Sequence, residues 1–406
     1  MINLNSKKFF IYLLSCYLNQ EKPVCENDVD WAEIYALSEK HDVTAVISKE
    51  IKEIEETKRP KGKLISVFNQ RLGYTIKNYE YKTQAITLLV KILSEAQINH
   101  LLVKGAVLRY LYPIPELRTS GDTDVVISPS DYENTIKVLE KNGFSVETVG
   151  TTVAELKYND EIFEIHTELE YINIQSKIYF STPFDDISEH SGYTYKLKPF
   201  YHLLYVITHI AHHLKNGGAG VRMIMDIDAL LRYYPDMDIE KFIALCDNIR
   251  IKKTALVLIA LSKKWFNTPV AINYTFEDSD EEEFYKKLSG IILKGGVFGA
   301  DNGGVGMVYL QRSIDSDGKS NFSTSVKAFF KWVFPHPSYL QKSYPYCNKR
   351  KFLIPVAWFH RLFLALFSRF GHSKDTLEAM FTQNEMSEKY YEVLKELEID
   401  SYDHYD

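Results

Sequence analysis

The chain has 406 residues, 45% of them apolar and 14% aromatic, which is ample for a buried core and points to two or three domains. Its formal net charge of −6 argues against a general nucleic-acid binder, which shows a marked basic excess, so long nucleic acid is not an expected partner. The four cysteines (Cys16, Cys25, Cys246, Cys347) are scattered, so neither a zinc site nor a disulfide framework is expected, and a cytoplasmic location is the simplest reading.

Residues 1–95 read as a helical N-terminal region. Lys7-Lys8 followed by Phe9 to Cys16 imitates a signal peptide, but the apolar run is short, lacks a small-residue cleavage site and passes into more helix-like sequence. Asp30 to Leu37 and Val43 to Ile47 place apolar residues at three- and four-residue spacing. Arg59-Pro60-Lys61-Gly62 marks a turn, and a long amphipathic helix is expected from about Leu64 to Ala96.

The pattern changes over residues 96–198. Asn99 to Val103 reads as a strand, Ala106 to Tyr112 as a short helix, and Pro113-Ile114-Pro115 as a forced loop. Asp124 to Ile127 is a second strand. Ser130 to Glu133 opens a helix that Ser130 or Asp131 is placed to cap, and Asn142-Gly143 ends it. Phe144 to Val149 begins another strand, Asn159-Asp160 marks a hairpin, and Ile162 to His166 alternates again. This is an α+β unit with a small mixed sheet.

Helices return over residues 199–270, clearest at Tyr201 to Leu214 and Met225 to Tyr233. Residues 271–324 form a variable Gly-rich and polar region, with six glycines between Lys294 and Met307. Those glycines lack the Gly-Lys-Ser/Thr ending of a Walker loop and the strand context of a dinucleotide fingerprint, so a flexible loop is expected. Residues 325–406 form an aromatic-rich helical C-terminal region with an acidic tail. No run reaches the roughly 20 apolar residues of a membrane span. The nearest, Phe352 to Phe370, is interrupted by His360, Arg361 and Arg369.

The chemistry concentrates between Leu101 and Ile127. Asp122 and Asp124 stand at i and i+2 of a strand, so both project from one face, roughly 7 Å apart along it. Such carboxylates repel unless a cation sits between them, and their hard oxygens suit Mg²⁺ or Mn²⁺. Glu164 supplies a third carboxylate and shares a strand face with His166. The Lys104-Gly105 turn lets backbone amides approach phosphates closely, and the planar fork of Arg118 can hold one. Order and spacing together form a layout for metal-dependent phosphoryl transfer.

Other motifs have plainer readings. His209, His212 and His213 stand at i, i+3 and i+4 of an apolar helix; with no cysteine nearby, a structural role on the helix face is expected, with His209 or His212 facing the nucleotide pocket as the alternative. Arg222 and Asp226, at i and i+4, read as a helix salt bridge. The aromatic stretch from Phe329 to Trp358 reads as core packing rather than a base-stacking surface.

On these residues the chain resembles the uncharacterised nucleotidyltransferase family of the DNA polymerase beta-like superfamily. The matching positions are Lys104-Gly105, Tyr112-Pro113 with Pro115, Arg118, and Asp122-Thr123-Asp124. Further matches are Glu164 and His166, His209 and His212 with Arg222 and Asp226, and Tyr344-Pro345 before Leu353-Ile354-Pro355 and Trp358. The chain departs from the superfamily in having Lys104-Gly105-Ala106 in place of Gly-Ser, and Glu164 where an aspartate is common. The resemblance implies a nucleotidyltransferase-type mixed sheet flanked by helices, with large helical additions at both ends. It implies Mg²⁺- or Mn²⁺-dependent transfer of a nucleoside monophosphate from an NTP to a hydroxyl acceptor, a small molecule, sugar or protein. Asp122, Asp124 and Glu164 would bind metal and carry the reaction; Lys104, Gly105, Arg118, Ser120, Gly121 and His166 would bind nucleotide. Two alternatives remain open: a catalytically silent nucleotide-binding or regulatory module, and a metal-dependent glycosyltransferase using the Asp-x-Asp pair.

Overall fold

A computed structural model describes residues 4–26, 29–271, 281–297, 304–314, 318–337, 340, 344, 346–367, 370–382 and 384–399. The chain divides into two compact units, Met1–Ile210 with Val221–Thr275, and Ala211–Gly220 with Phe276–Asp406.

The first unit opens with helices α1 (Leu4–Asn19), α2 (Trp31–Lys40), α3 (Thr44–Glu53) and α4 (Lys63–Glu95). The stretch that imitates a signal peptide lies within α1, and Phe10, Leu13, Leu14 and Tyr17 are buried there. Asp30 caps α2, its side chain accepting from the amides of Ala32 and Glu33.

Seven strands follow: β1 (His100–Leu102), β2 (Asp122–Ile127), β3 (Ser145–Val149), β4 (Val153–Tyr158), β5 (Glu161–His166), β6 (Ile187–Ser191) and β7 (Thr194–Leu197). They form one mixed sheet in the order β3-β4-β5-β2-β1-β7-β6. β2 runs parallel to β5 and antiparallel to β1; β7 runs parallel to β1. The β6–β7 hairpin lies outside the strands expected from sequence; it is local, but Ile187–Ser191 is almost wholly polar and shows no apolar alternation. The expected cap of α6 (Tyr132–Lys141) is not made. Pro129–Asp131 forms a 3-10 turn that holds Asp131 at helical dihedrals, whereas an N-cap needs non-helical ones.

Alternation divides β2 between the faces of the sheet. Val125 and Ile127, with Phe163 and Ile165 of β5, pack against Ile86, Leu89 and Leu93 of α4 and Leu139 of α6. Asp124, Glu164 and His166 point from the opposite face. The short helices α5 (Gly105–Leu108) and α7 (Ile174–Tyr179) lie between strands, and α8 (Pro199–Lys215), α9 (Val221–Tyr233), α10 (Ile239–Asn248) and α11 (Lys252–Phe266) follow the sheet in sequence.

In the second unit, α12 (Glu281–Gly295) and α13 (Gly304–Gln311) take up parts of the stretch expected to be a flexible loop. A Cβ at Gly306 would lie 2.3 Å from the Thr376 carbonyl, so this glycine allows close helix packing. The glycines at 299 and 303 lie outside the described residues, as do Pro345 and residues 400–406 of the acidic tail. Next come α14 (Phe322–Val333), opened by a capping box between Asn321 and Thr324, α15 (Tyr346–Lys349), α16 (Ile354–Phe367), α17 (Phe370–Thr382) and α18 (Asn384–Glu396). Among the described residues no helix is long and apolar enough to cross a membrane. Among the described residues Cys16, Cys25, Cys246 and Cys347 form no disulfide.

Candidate functional site

The parallel register of β2 on β5 sets Asp124 opposite Glu164 and Val126 opposite His166. Same-face neighbours on adjacent strands meet side by side, so three potential ligands converge although Asp124 and Glu164 stand 40 positions apart (164 − 124). One ligand atom from each of Asp124, Glu164 and His166 lies within 4.8 Å of the others. His166 Nε2 is 3.1 Å from Asp124 Oδ1 and 3.1 Å from Glu164 Oε2. Asp124 is buried and Glu164 half-buried.

Lys104 enters this group from the turn after β1. Its ammonium donates to Asp124 Oδ1 at 2.9 Å and lies 3.4 Å from Glu170 Oε2. Its φ of +48° and ψ of −128° is a backbone conformation seldom adopted by residues with a side chain. Glu170 in turn is bonded to Nδ1 of His209 on α8. The side chain of Tyr205, also on α8, lies against the Lys104 ammonium, with the ring centroid 5.9 Å away.

Burial opposes charge on Asp124, but Lys104 and His166 outweigh it and hold the carboxyl below the usual carboxylate range. Burial also opposes charge on His166, and the hydrogen bonds to Asp124 and Glu164 raise its pKa to about 9. Lys104 is held firmly protonated: desolvation works against its charge and is outweighed by Tyr205, Asp124 and Glu170. Two carboxylate oxygens suit Mg²⁺, and once its proton is displaced the His166 nitrogen completes a donor set that suits Mn²⁺.

The other residues singled out in the sequence are placed differently. Asp122 is exposed at the first position of β2 and is not part of the three-residue group. Arg118 is buried and its fork is taken by Asp226, Nε to Oδ1 at 3.2 Å and Nη2 to Oδ2 at 2.7 Å, while Nη1 donates to the Thr119 carbonyl at 2.9 Å. Tyr112 donates to the same Asp226 at 2.7 Å. The expected Arg222–Asp226 helix pair is therefore replaced: Arg222 Nη1 donates to Asp42 Oδ2 at 2.6 Å and to Thr119 Oγ1 at 2.7 Å. Arg118 meets Asp226 with two nitrogens on two oxygens, a bidentate pairing, while Arg222 is drawn away to Asp42 and Thr119. His209 pairs with Glu170, and neither His212 nor His213 joins a metal-ligand group among the described residues.

Gly105 is needed where it stands. A Cβ there would lie 2.6 Å from Arg118 Nη1 and 2.8 Å from Ser120 Cβ, so the turn packs directly on the segment that leads into β2. Gly121 has open space around it.

Sequence reading missed Lys82 altogether. From α4 its ammonium donates to the carbonyls of Ser120 (3.0 Å), Gly121 (3.0 Å) and Asp122 (3.2 Å), and it lies 3.3 Å from Glu161 Oε2. Desolvation lowers its pKa, and Glu161 opposes that shift. A signal was present: Lys82 interrupts the buried stripe that continues through Ile86, Leu89 and Leu93 at helical spacing. Glu170 has no such signal, because the strand alternation ends at His166.

The family model described as uncharacterised nucleotidyltransferase matches residues 27–267. No curated protein and no solved structure matches the chain.

Proposed function

Since the chain belongs to the uncharacterised nucleotidyltransferase family, we propose that it is a metal-dependent enzyme transferring a nucleoside monophosphate from an NTP to a hydroxyl acceptor, with release of pyrophosphate. The carrying observation is the convergence of Asp124, Glu164 and His166 on one face of β2 and β5, with the Lys104 ammonium against it.

In this reading Asp124, Glu164 and His166 would hold the Mg²⁺ or Mn²⁺ ion, with Asp122 at the exposed entrance to β2. The metal, when bound, neutralises charge on the triphosphate and makes its α-phosphorus more electrophilic. Lys104 provides a fixed cation for a phosphate oxygen, freed for that role when Asp124 is otherwise engaged. Glu164, half-buried, would take the proton of the acceptor hydroxyl. Lys82 keeps Asp122 in place through the carbonyls of residues 120–122. Arg118, committed to Asp226, supports the same segment from behind and is not itself a phosphate ligand. Ser120, Gly121 and the Lys104-Gly105 turn form the wall against which the nucleotide would lie.

The test is incubation of the protein with each labelled NTP and Mg²⁺ or Mn²⁺, beside Asp124→Ala. Metal-dependent release of pyrophosphate by the wild type alone supports the reading. NTP binding no tighter in the wild type than in Asp124→Ala overturns it.

A second reading, a catalytically silent nucleotide-binding module, is favoured by the contact of Lys104 with the same Asp124 oxygen that His166 touches. Nucleotide binding indifferent to metal, without turnover, would select it.

A further inference from the structure

Charge and hydrophobicity are unusually distributed in the second unit. From Gly318 to Lys374 the sequence has ten lysines and arginines and no aspartate or glutamate, in a chain whose net charge is −6. Within this basic stretch lies α16 (Ile354–Phe367), IPVAWFHRLFLALF. One side of it is a normal core face: Ile354, Ala357 and Trp358 pack with Leu340 and Cys347, and Leu362 packs with Trp332 and Val333 of α14. The opposite side should then be polar. It instead presents Val356 (53% exposed), Phe359 (73%) and Phe363 (58%) at helical spacing, with Phe352 (74%) just before the helix. A helix apolar on both sides is ordinarily buried all round.

We propose that this face docks on an anionic lipid surface. The helix has 14 residues, short of the roughly 20 that cross a bilayer, so it would lie in the plane of the interface. Phenylalanine and valine would enter the acyl boundary, and the net positive charge of the stretch would draw it to negative headgroups.

The same features weigh against the other occupants. Base stacking uses aromatic rings with free cations beside them, but the ridge includes the aliphatic Val356, and Arg361 is bound to the Trp332 carbonyl and lies over the Trp332 ring. A second copy docking by the same face would set one basic stretch against another.

The experiment is flotation of the full chain with vesicles of phosphatidylcholine alone and of phosphatidylcholine with phosphatidylglycerol, at low and high salt. The wild type should float with the anionic vesicles only, less at high salt. Phe352→Ser/Phe359→Ser should lose about tenfold or more of that partitioning. Because that variant could misfold, Phe359→Trp provides a second measurement: its fluorescence should shift to the blue with anionic vesicles and stay unchanged with phosphatidylcholine. No flotation and no blue shift overturn the proposal, as does equal flotation of wild type and double variant when both are folded by circular dichroism. Retention of single-stranded RNA on a filter without vesicle binding assigns the face to nucleic acid. A dimer that the double variant converts to monomer, again without vesicle binding, assigns it to self-association.

Discussion

Two buried charge networks stand within a few residues of each other in the first unit, and they differ in how completely their members satisfy one another. Around Asp226, one carboxylate receives the Arg118 fork on both oxygens and a tyrosine hydroxyl, and the third guanidinium nitrogen of Arg118 donates to a carbonyl. This network is closed. Around Asp124, two cationic groups meet at one carboxylate oxygen, and His166 is shared between two acids, one of them half-buried. Groups crowded around a shared oxygen, with Glu164 still reachable, can exchange their partners for a ligand; a bidentate pair sealed from water cannot. The lesson is that burial and charge alone do not mark a site; incomplete pairing does.

This contrast can be broken from either side. The largest effect is expected at the open network: Asp124→Ala should abolish transfer, by about a thousandfold or more, in a chain that still folds but melts below the wild type, because Lys104 and His166 lose their shared partner. Pyrophosphate release and a melting curve measured together check this, and a variant that merely unfolds would contradict it. Asp226→Ala should do the reverse. It leaves Arg118 buried without a counter-charge and should destabilise the fold by about 3–5 kcal/mol, read by urea unfolding.

The third prediction concerns His202 on α8, buried and with its pKa lowered to about 4 by burial, Asp226 opposing the shift. The unfolded state binds the proton near pH 6.5 and the folded state only near 4, so stability is full above about 6.5 and falls as pH drops toward 4. The loss amounts to about 3 kcal/mol, and His202→Leu should flatten that part of a stability-versus-pH curve. The smallest effect is expected where the networks adjoin. Gly105→Ala sets a methyl against Arg118 and Ser120 and should cost about 1–3 kcal/mol. Because Arg118 is pinned by Asp226, the strain should move the Lys104 turn, so NTP affinity should fall as well. Unchanged stability and affinity would mean that the two networks are not mechanically linked.

Much of the local structure was legible in the residues. The long helix expected from about Leu64 to Ala96 is α4 over Lys63–Glu95, and the Asn159-Asp160 turn joins β4 and β5 with Asn159 at φ +54°. The Gly295 to Gly306 stretch differs from the expected loop only at its ends, where Gly295 closes α12 and Gly304 and Gly306 stand in α13, because glycine permits close helix packing as readily as it permits a loop; residues 298–303 lie outside the described residues. The aromatic stretch from Phe329 to Trp358 was read as core, and Phe329, Trp332 and Trp358 do pack inward, whereas Phe330, Phe334 and Phe352 stay exposed.

What the sequence determined by itself was which side chains share a face. Period two sets Glu164 with His166 and Asp122 with Asp124, and period 3.6 orders the apolar stripe of α4; both follow from backbone geometry within a few residues. Only the tertiary structure decided which faces meet. The parallel register that brings Asp124 to Glu164, the reach of Lys82 from α4 to the carbonyls before β2, and the choice of Arg118 over Arg222 by Asp226 all join residues 38 or more positions apart. Local periodicity carries no information about such partners, because they are selected by the packing of whole elements.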